Sequence, residues 1–428
     1  NNISGANNFI QLWPGALTHA ICVFLGLIAM GLHNSRQRSR ILGLLARAGM
    51  GVVGGTVCFL VIAQVVAHLR LDRTVLLASG VMMIGACVAL RLLFEWLVDE
   101  NLFKRRVLVY GAGRMAGSIA TLRRRSDRRG FTAVAYLPAD GDDSASVDAA
   151  QKIALDTDML KFCEAHHVDE IVVAMDDRRR RFPMDQLLEC RLDGIEIIDV
   201  VSFLERETGK VRLDVLNPSW MIFSDGFRRG NLNAALERVC DVLASLALLI
   251  LALPFMVLAV LAIKLEDGWR ATIFYRQDRV GQYGKTFRLL KFRSMREDAE
   301  RDGKAQWAQK NDARVTRVGS VIRKTRIDEL PQILNVLRGE MSFVGPRPER
   351  PEFVSRLNER VPFYRERHTI KPGITGWAQL CYPYGSSEQD SLEKLQYDLF
   401  YVKNHSLLFY LAVLVQTVEV IVMRRGAR

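Results

Sequence analysis

Long apolar segments alternate with polar, arginine-rich stretches over the first hundred residues. Residues 10–31, 41–69 and 75–98 are each long enough to cross a bilayer, which takes about 20 mostly apolar residues. The run from His33 to Arg40 is dense in arginine and indicates a cytoplasmic loop between the first two segments. We predict transmembrane helices here and not helices lying at the interface, because of the length of these segments. Counting crossings places Asn1 outside, so we expect a further helix upstream of it.

The next hundred residues show short apolar runs that alternate with amphipathic segments, which predicts a parallel sheet of Rossmann type. Gly111, Gly113 and Ala116 follow the first run and match the G-x-G-x-x-A turn of dinucleotide sites, and Asp140 falls near the position of a ribose-binding acid. The turn either binds a nucleotide phosphate at a helix N-terminus or lets strand and helix pack closely. We favour packing, because no hydride-transfer residues accompany the turn.

Residues 206–232 alternate between apolar and polar positions and contain turn residues, which predicts a short β-hairpin or linker. An exposed strand edge in this region would pair with a second copy, so we expect a possible homodimer. After it, Val242 to Ile263 is a fourth apolar segment with cationic residues on both flanks and Pro254 near its centre. Equal positive flanks favour both ends remaining cytoplasmic, and an internal proline costs about 3 kcal/mol in a straight helix. We therefore predict a bent, re-entrant membrane helix.

The last apolar segment, Leu407 to Met423, is short and carries Gln416 and Glu419. These features favour a helix at the membrane interface over a terminal transmembrane helix.

Composition supports a membrane protein of several units. The 428 residues are 49% hydrophobic with a net charge of +12, and the arginine clusters flank apolar segments, which favours anionic lipid over nucleic acid. The seven cysteines are scattered singly and predict neither a disulfide framework nor a metal site.

Candidate chemistry is concentrated between Lys324 and Pro348. Asp328 and Glu329 precede a short amphipathic helix that Pro331 begins and Gly339 ends in a left-handed cap. Such a pair commonly serves only to cap a helix. Here, however, cations surround it at positions Arg323, Lys324, Arg326, Arg338 and Arg347. Two carboxylates ringed by guanidinium groups can handle phosphate and a divalent metal together.

Four further motifs extend this picture: FYRQDRVGQYGKTFRLLKFRSM at 274–295, NDARVTRVGSVIRKTR at 311–326, KPGITGWAQL at 371–380 and YDLFYVKN at 397–404. With the acidic pair they make residues 234–428 resemble the bacterial sugar transferases, which move a hexose 1-phosphate from a UDP-sugar onto undecaprenyl phosphate. The whole chain resembles the large members of that family. Its loop after Trp377, WAQLCYPYGSS, differs from the WAQVNG-like run of many smaller members and leaves the choice of hexose open.

The resemblance implies that Asp328 is the nucleophile that carries the phosphosugar and that Glu329 binds or positions Mg²⁺, with Asp328 beside the same ion. It also implies a bacterial cytoplasmic membrane location, with membrane lipids as partners, no nucleic acid and the catalytic part on the cytoplasmic face. The candidates for contacts with the substrate phosphates or the nucleotide are Lys291, Arg293, Arg326, Arg347, Gln277, Arg279, Lys371 and Thr375. Any one of these cations is alternatively a structural ion-pair partner. Asp398 is either a second acid near the metal or such a partner.

Taken together, the prediction is an α/β membrane protein with N-terminal transmembrane helices, a Rossmann-like parallel-sheet domain, a re-entrant membrane helix and a mainly helical catalytic domain. The predicted boundaries are 1–100, 101–205, 206–232 for the linker or hairpin, 233–265 for the re-entrant helix and 266–428.

Two other hypotheses stay open. A membrane-tethered nucleotide-sugar dehydratase or dehydrogenase would use the Rossmann-like domain with NAD(P), but residues 140–205 lack the tyrosine of a Tyr-x-x-x-Lys set. A decayed scaffold is the third, and the intact acidic motif argues against it.

Overall fold

A computed structural model describes residues 2–29, 41–66, 69, 71–97, 104–122, 127, 130–143, 146–153, 158–177, 182–216, 221, 224, 226–227, 230–296, 314–382 and 387–422. The chain divides into two compact units, Asn1–Ile222 and Phe223–Arg428. It is a mixed α/β protein with a parallel sheet and several apolar helices.

The first unit begins with three long helices, α1 (Asn2–Ala29), α2 (Ile41–Val65) and α3 (Arg73–Leu97). Helix α2 packs against both of the others, and many large apolar side chains point outward from the three helices. Within the described residues, Arg47–Val65 and Arg73–Leu90 are long and apolar enough to cross a membrane, and Trp13–Ile28 is a shorter apolar stretch. These properties are consistent with the predicted membrane helices. The arginine-rich run at 33–40 lies outside the described residues.

A four-stranded parallel sheet follows in the order β2-β1-β3-β4. Its elements are β1 (Arg105–Tyr110), α4 (Arg114–Ala120), β2 (Phe131–Leu137), α5 (Met159–Ala165), β3 (Glu170–Val173), α6 (Met184–Leu192), β4 (Glu196–Asp199) and α7 (Val200–Thr208). Alternate residues of β1 face opposite sides, so Val107 and Val109 join one apolar core and Leu108 joins the other. Both faces of the sheet are therefore covered, as parallel sheets require.

Residues 206–232, predicted as a short hairpin or a linker, contain no strand among the residues that the structure describes. Its described residues complete α7, pass through turns and begin the next helix, and none of them is in a strand. Gly209 ends α7 in the left-handed conformation, which explains why the segment turns instead of extending. The homodimer prediction relied on a strand edge, which the described residues of this segment do not provide, and it stays a prediction.

The second unit contains one very long helix and a set of short elements. They are α8 (Asn231–Asp267), β5 (Phe274–Val280), β6 (Thr286–Phe292), α9 (Arg317–Lys324), a 3₁₀ helix (Ile327–Glu329), α10 (Gln332–Arg338), β7 (Ser342–Val344), α11 (Pro351–Arg360), a second 3₁₀ helix (Tyr364–Thr369), β8 (Gly373–Thr375), α12 (Trp377–Cys381), α13 (Glu388–Lys403) and α14 (Leu407–Val422). Strands β5 and β6 form an antiparallel hairpin, and β7 pairs with β8 in parallel. The core collects side chains from β6, α10, β7, α13 and α14.

Helix α8 carries the fourth apolar segment and is continuous through Pro254. Near its start, the buried Asp241 Oδ1 accepts hydrogen bonds from Ser342 Oγ (3.0 Å), Phe343 N (3.0 Å) and Tyr410 Oη (2.7 Å). This carboxylate links the helix to β7 and α14.

The other end of α8 contacts helix α9 of the same unit through a charged group. The Glu266 carboxylate accepts hydrogen bonds from the amides of Arg317 (2.8 Å) and Val318 (2.9 Å), at the positive end of α9. Between the two ends, the helix exposes many large apolar side chains, among them Ile250, Leu251 and Leu258. The helix is long and apolar enough to be a candidate membrane segment. The shorter C-terminal apolar helix, Leu407–Val418, packs partly into the core.

Candidate active site

The β5–β6 hairpin provides one wall of the site. Lys291 lies opposite Tyr275 in the antiparallel register, and Gln277 and Arg279 follow Tyr275 at alternate positions. Directly opposed residues and alternate residues share a face of the hairpin, so Lys291, Gln277 and Arg279 lie on the same side. Arg279 Nη2 donates to Gln277 Oε1 (2.5 Å) and Nη1 donates to the Pro348 carbonyl (3.0 Å). Gln277 and Arg279 therefore lie beside Lys291, and their predicted contact with the donor substrate stays a prediction.

The acidic pair lies where helix α9 is broken. Arg326 adopts the left-handed conformation with φ of 59°, and the chain then forms the 3₁₀ helix that contains Asp328 and Glu329. A left-handed arginine is unusual and costs about 1 kcal/mol or more, so the surrounding structure must hold it. Gly339 ends α10 in the left-handed conformation, as predicted.

Glu329 is the centre of a cluster of cations. Its Oε1 lies 3.0 Å from Arg347 Nη2, 3.2 Å from Lys291 Nζ and 3.8 Å from Arg326 Nη1. Burial alone would raise the pKa of this carboxyl, but the three positive charges outweigh it and hold the pKa well below the usual range of a glutamate. Burial lowers the pKa of Lys291, while Glu329 opposes that shift. Glu329 is therefore a permanent anion at neutral pH.

Asp328 has a different environment from its neighbour. It is only 7% exposed, and its side chain makes no hydrogen bond or ion pair within 4.0 Å to any residue that the structure describes. Burial raises the pKa of this carboxyl, and the charge of Glu329 raises it further. Lys291, Arg323 and Arg326 oppose that shift. An ionised carboxylate without hydrogen-bond donors is a better nucleophile than one that is neutralised by a guanidinium.

Arg347 is held in place on three sides. Besides its ion pair with Glu329, its Nη1 donates to Gln379 Oε1 (3.1 Å), and its carbonyl accepts from Arg367 Nη2 (3.1 Å). Arg367 is buried and donates to Asp398 Oδ2 from Nε (3.0 Å) and Nη2 (2.7 Å), with Tyr364 Oη as a further acceptor at 2.9 Å. Of the two predicted roles for Asp398, the structure thus shows that of a salt-bridge partner, which binds the arginine that supports Arg347.

Three other predicted contact residues lie apart from the acidic pair. Arg293 is buried and its Nη2 binds Asp267 at the end of α8 (2.5 Å). Thr375 is buried in β8 and shares a hydrogen bond with Thr417 (2.8 Å). Lys371 lines a cavity of about 160 Å³ next to Arg238, at the far end of α10. Arg293 therefore shows the alternative role of a structural ion-pair partner. The predicted contacts of Lys371 and Thr375 with the donor substrate stay predictions.

Gly111 and Gly113, the weak nucleotide candidates, lie in the first unit, within the turn after β1. Their surroundings are described below.

Two residues that sequence reasoning missed support the site. Gln379 lies in the quoted WAQL run but has no charge to draw attention to it. The acid that Arg367 binds, Asp398, is 31 positions away in the sequence, so no local pattern indicates the pair.

The residues present fit a magnesium ion loosely. Mg²⁺ in phosphate-transfer sites takes one or two carboxylates and completes its shell with substrate phosphates and water. Glu329 makes its three ion pairs through Oε1, and Asp328 lies next to it in the chain, so the pair offers two carboxylates to a metal. The described residues contain no cluster of three or more metal-ligating side chains, so a metal here would depend on ligands from the substrate.

Comparison with known proteins identifies this arrangement. Residues 232–424 match the bacterial sugar transferase family. The chain is 40% identical over 242 residues to UDP-N-acetylgalactosamine-undecaprenyl-phosphate N-acetylgalactosaminephosphotransferase of Aeromonas hydrophila, a match that covers 56% of each protein. It is 31% identical over 347 residues to UDP-glucose:undecaprenyl-phosphate glucose-1-phosphate transferase of Escherichia coli (strain K12), covering 80% of this chain and 73% of that protein. It is also 37% identical to the exopolysaccharide production protein PSS of Rhizobium leguminosarum bv. phaseoli, covering 44% of this chain and 95% of that protein. The chain belongs to the bacterial sugar transferase family.

Proposed function

We propose that this protein transfers a hexose 1-phosphate from a UDP-sugar to undecaprenyl phosphate and releases UMP, as the first membrane step of exopolysaccharide or surface-glycan synthesis. The observation that supports this most directly is Asp328, which is nearly buried and has no hydrogen-bond partner among the described residues, beside a glutamate that binds three cations. Relatives named for UDP-N-acetylgalactosamine and for UDP-glucose support the class of donor, and they leave the hexose open.

In the first half-reaction, a carboxylate oxygen of Asp328 attacks the phosphorus that bears the sugar. The new bond joins that oxygen to phosphorus, and the bond to the bridging oxygen of UMP breaks. UMP leaves with that electron pair, and Asp328 holds the phosphosugar as an acyl phosphate. The cationic cluster of Lys291, Arg326 and Arg347 is suited to neutralise the diphosphate, because a carboxylate and a diphosphate otherwise repel each other.

In the second half-reaction, a phosphate oxygen of undecaprenyl phosphate attacks the same phosphorus. The acyl–phosphate bond breaks, the Asp328 carboxylate is regenerated, and the product is undecaprenyl diphosphate hexose. A single residue thus serves a soluble donor and a membrane-bound acceptor in turn, which predicts ping-pong kinetics.

Mg²⁺, when bound, would supply Lewis-acid charge neutralisation on the phosphates. The Glu329 carboxylate would hold it, and Asp328 lies beside Glu329 in the chain. Arg347 would orient the diphosphate of the UDP-sugar, since Gln379 and Arg367 hold this arginine in place.

The same proposal places the chain in the bacterial cytoplasmic membrane, with α8 as a re-entrant helix and the catalytic part on the cytoplasmic face. The contacts at both ends of α8 support a re-entrant helix, because charged side chains at each end contact other elements of the second unit. A helix that crossed the bilayer would carry one of these ends to the opposite side.

Replacing Asp328 with asparagine tests the nucleophile. We expect UMP release from a panel of UDP-sugars to fall on the order of 10³-fold or more, because the amide cannot form the acyl phosphate. Asp278→Asn is the matched control: this aspartate is exposed on β5 and makes only a 3.9 Å contact with Arg288. Trapping of radiolabelled phosphosugar on the wild type, and none on the Asp328 variant, completes the test. Undiminished turnover in Asp328→Asn would rule out the covalent scheme.

Removing divalent cations tests the metal separately. We expect EDTA to abolish UMP release and added MgCl₂ to restore it, because the cationic side chains alone leave part of the diphosphate charge uncompensated. Full activity in EDTA would contradict a magnesium requirement while leaving the nucleophile unaffected.

A further inference from the structure

The turn after β1 has the sequence of an anion-binding site. It runs Gly111, Ala112, Gly113 and leads into helix α4. In dinucleotide-binding proteins such a turn points its backbone N–H groups at a pyrophosphate, and its glycines allow the phosphates to approach the backbone. The parallel sheet and the G-x-G-x-x-A spacing therefore raise the question of whether a nucleotide binds in the first unit.

The amides of this turn already bind carboxylates of the same chain. Asp176 Oδ2 accepts from Arg114 N (2.9 Å), and its Oδ1 accepts from Met115 N (2.8 Å). Asp142 Oδ2 accepts from Ala112 N (2.7 Å). These hydrogen bonds take the positions at the start of α4 that a pyrophosphate would use.

The two carboxylates also connect neighbouring strands. Asp142 follows β2, and besides Ala112 N its oxygens accept from Ala139 N (3.0 Å) and Asp176 N (3.2 Å). Asp176 follows β3. The carboxyl ends of β1, β2 and β3 are thereby joined through two side chains, and opening the turn to a ligand would break at least three of these hydrogen bonds.

Close contacts within the chain explain why glycine is needed at positions 111 and 113. A Cβ added to Gly113 would lie 2.1 Å from Asp176 Oδ2, and one added to Gly111 would lie 2.3 Å from the Ala174 carbonyl oxygen. Gly111 also has φ of 128°, which only glycine adopts readily. Close approach within the chain thus requires both glycines without any ligand.

Local charge works against an anionic ligand as well. Asp140, predicted as a ribose-binding acid, and Asp142 lie close enough to Tyr110 that they add to the effect of burial in raising the pKa of its phenol. A pyrophosphate brought to this edge of the sheet would meet the same negative charges.

We infer that the carboxylates of Asp142 and Asp176 permanently occupy the anion position of the glycine-rich turn, so that this turn binds its own chain and takes no dinucleotide or nucleoside diphosphate. Through these hydrogen bonds, the turn joins the carboxyl ends of three strands of the sheet. The hypothesis of an NAD(P)-dependent enzyme in this domain is excluded on the same ground.

A double-mutant cycle between Gly113 and Asp176 tests the inference in the full-length protein in detergent or lipid discs. We expect Gly113→Ala to lower the Tm by about 4 °C or more, because the new methyl group collides with the Asp176 carboxylate. In the Asp176→Ala background, the same glycine change should have less than half that effect. Gly54→Ala is the control, since its added Cβ would meet no atom within 4 Å.

Ligand binding provides the second arm. NADH and NADPH fluorescence titrations of the wild type should show no saturable binding with a Kd below about 1 mM. Saturable binding that Gly113→Ala removes, with the Tm of the ligand-free protein unchanged by that substitution, would overturn the inference. Neither arm depends on transferase activity, so the result is independent of the proposed function.

Discussion

Asp328 and Glu329 are neighbours in sequence, but their surroundings separate their acidities. Three cations lie within 4.0 Å of Glu329 and hold its pKa low, whereas burial and the charge of Glu329 raise the pKa of Asp328. Two titratable groups whose pKa values are pushed apart mark a division of roles. Glu329 is suited to remain an anion that binds cations, and Asp328 is suited to act as the more basic nucleophile.

This difference predicts how activity depends on pH. Attack requires ionised Asp328, so kcat/KM should fall as the pH drops through the pKa of Asp328, which lies above the ordinary aspartate value of about 3.9. The positive charge of Arg323 lowers that pKa. Arg323→Gln should therefore raise it and move the acid limb to higher pH by about 0.3 unit.

The measurement is the pH profile of kcat/KM for UMP release at low salt, where exposed charges are least screened. Arg317→Gln, at the opposite end of α9, is the control and should leave the limb in place. A limb that moves to lower pH in the Arg323 variant would contradict the assigned sign.

At the scale of elements, helix α8 carries a candidate membrane segment and also contacts elements of the candidate active site. Its first part donates from Arg238 to the carbonyls of Val336 and Leu337 (both 2.6 Å), at the end of α10. Its last turn provides Asp267, which binds Arg293 next to the strand that carries Lys291. The apolar middle has few such contacts, so both polar ends belong with the same unit.

A re-entrant α8 predicts that both of its ends react from the same side of the membrane. In a cysteine-free background, reporter cysteines at the exposed positions Leu232 and Trp269 should both react with a membrane-impermeant maleimide in inverted vesicles and in neither case in intact spheroplasts. Asp278→Cys, on the exposed face of β5, reports the side of the catalytic part. Labelling of the two ends from opposite sides would show that the helix crosses.

For the molecule as a whole, local features were predictable and distant partners were not. The left-handed cap at Gly339 and the amphipathic α10 depend on adjacent residues, so the pattern alone indicates them. The hairpin likewise brings Lys291 to the face that carries Gln277, because strand alternation determines the side. Arg293, two positions after Lys291, instead binds Asp267, and no local sequence pattern indicates that partner.

The glycine-rich turn illustrates the same limit. Its spacing indicates close approach, and the sequence analysis favoured packing for that reason. The atoms that approach belong to Asp176, about sixty positions away, and only the parallel register of β1 and β3 brings them together. Of the hairpin and the linker predicted for 206–232, the described residues show turns and no strand, because alternation over a few residues does not provide a strand with a partner.

Asp241 has a consequence for anyone who wishes to re-engineer this protein. Its carboxylate accepts three hydrogen bonds from donors that lie in the catalytic core. Exchanging α8 for an unrelated apolar helix, or deleting it to obtain a water-soluble enzyme, would leave those buried donors without a hydrogen-bond acceptor. Helix α8 therefore cannot be replaced independently of the catalytic core, and a chimeric protein must place a carboxylate at this position.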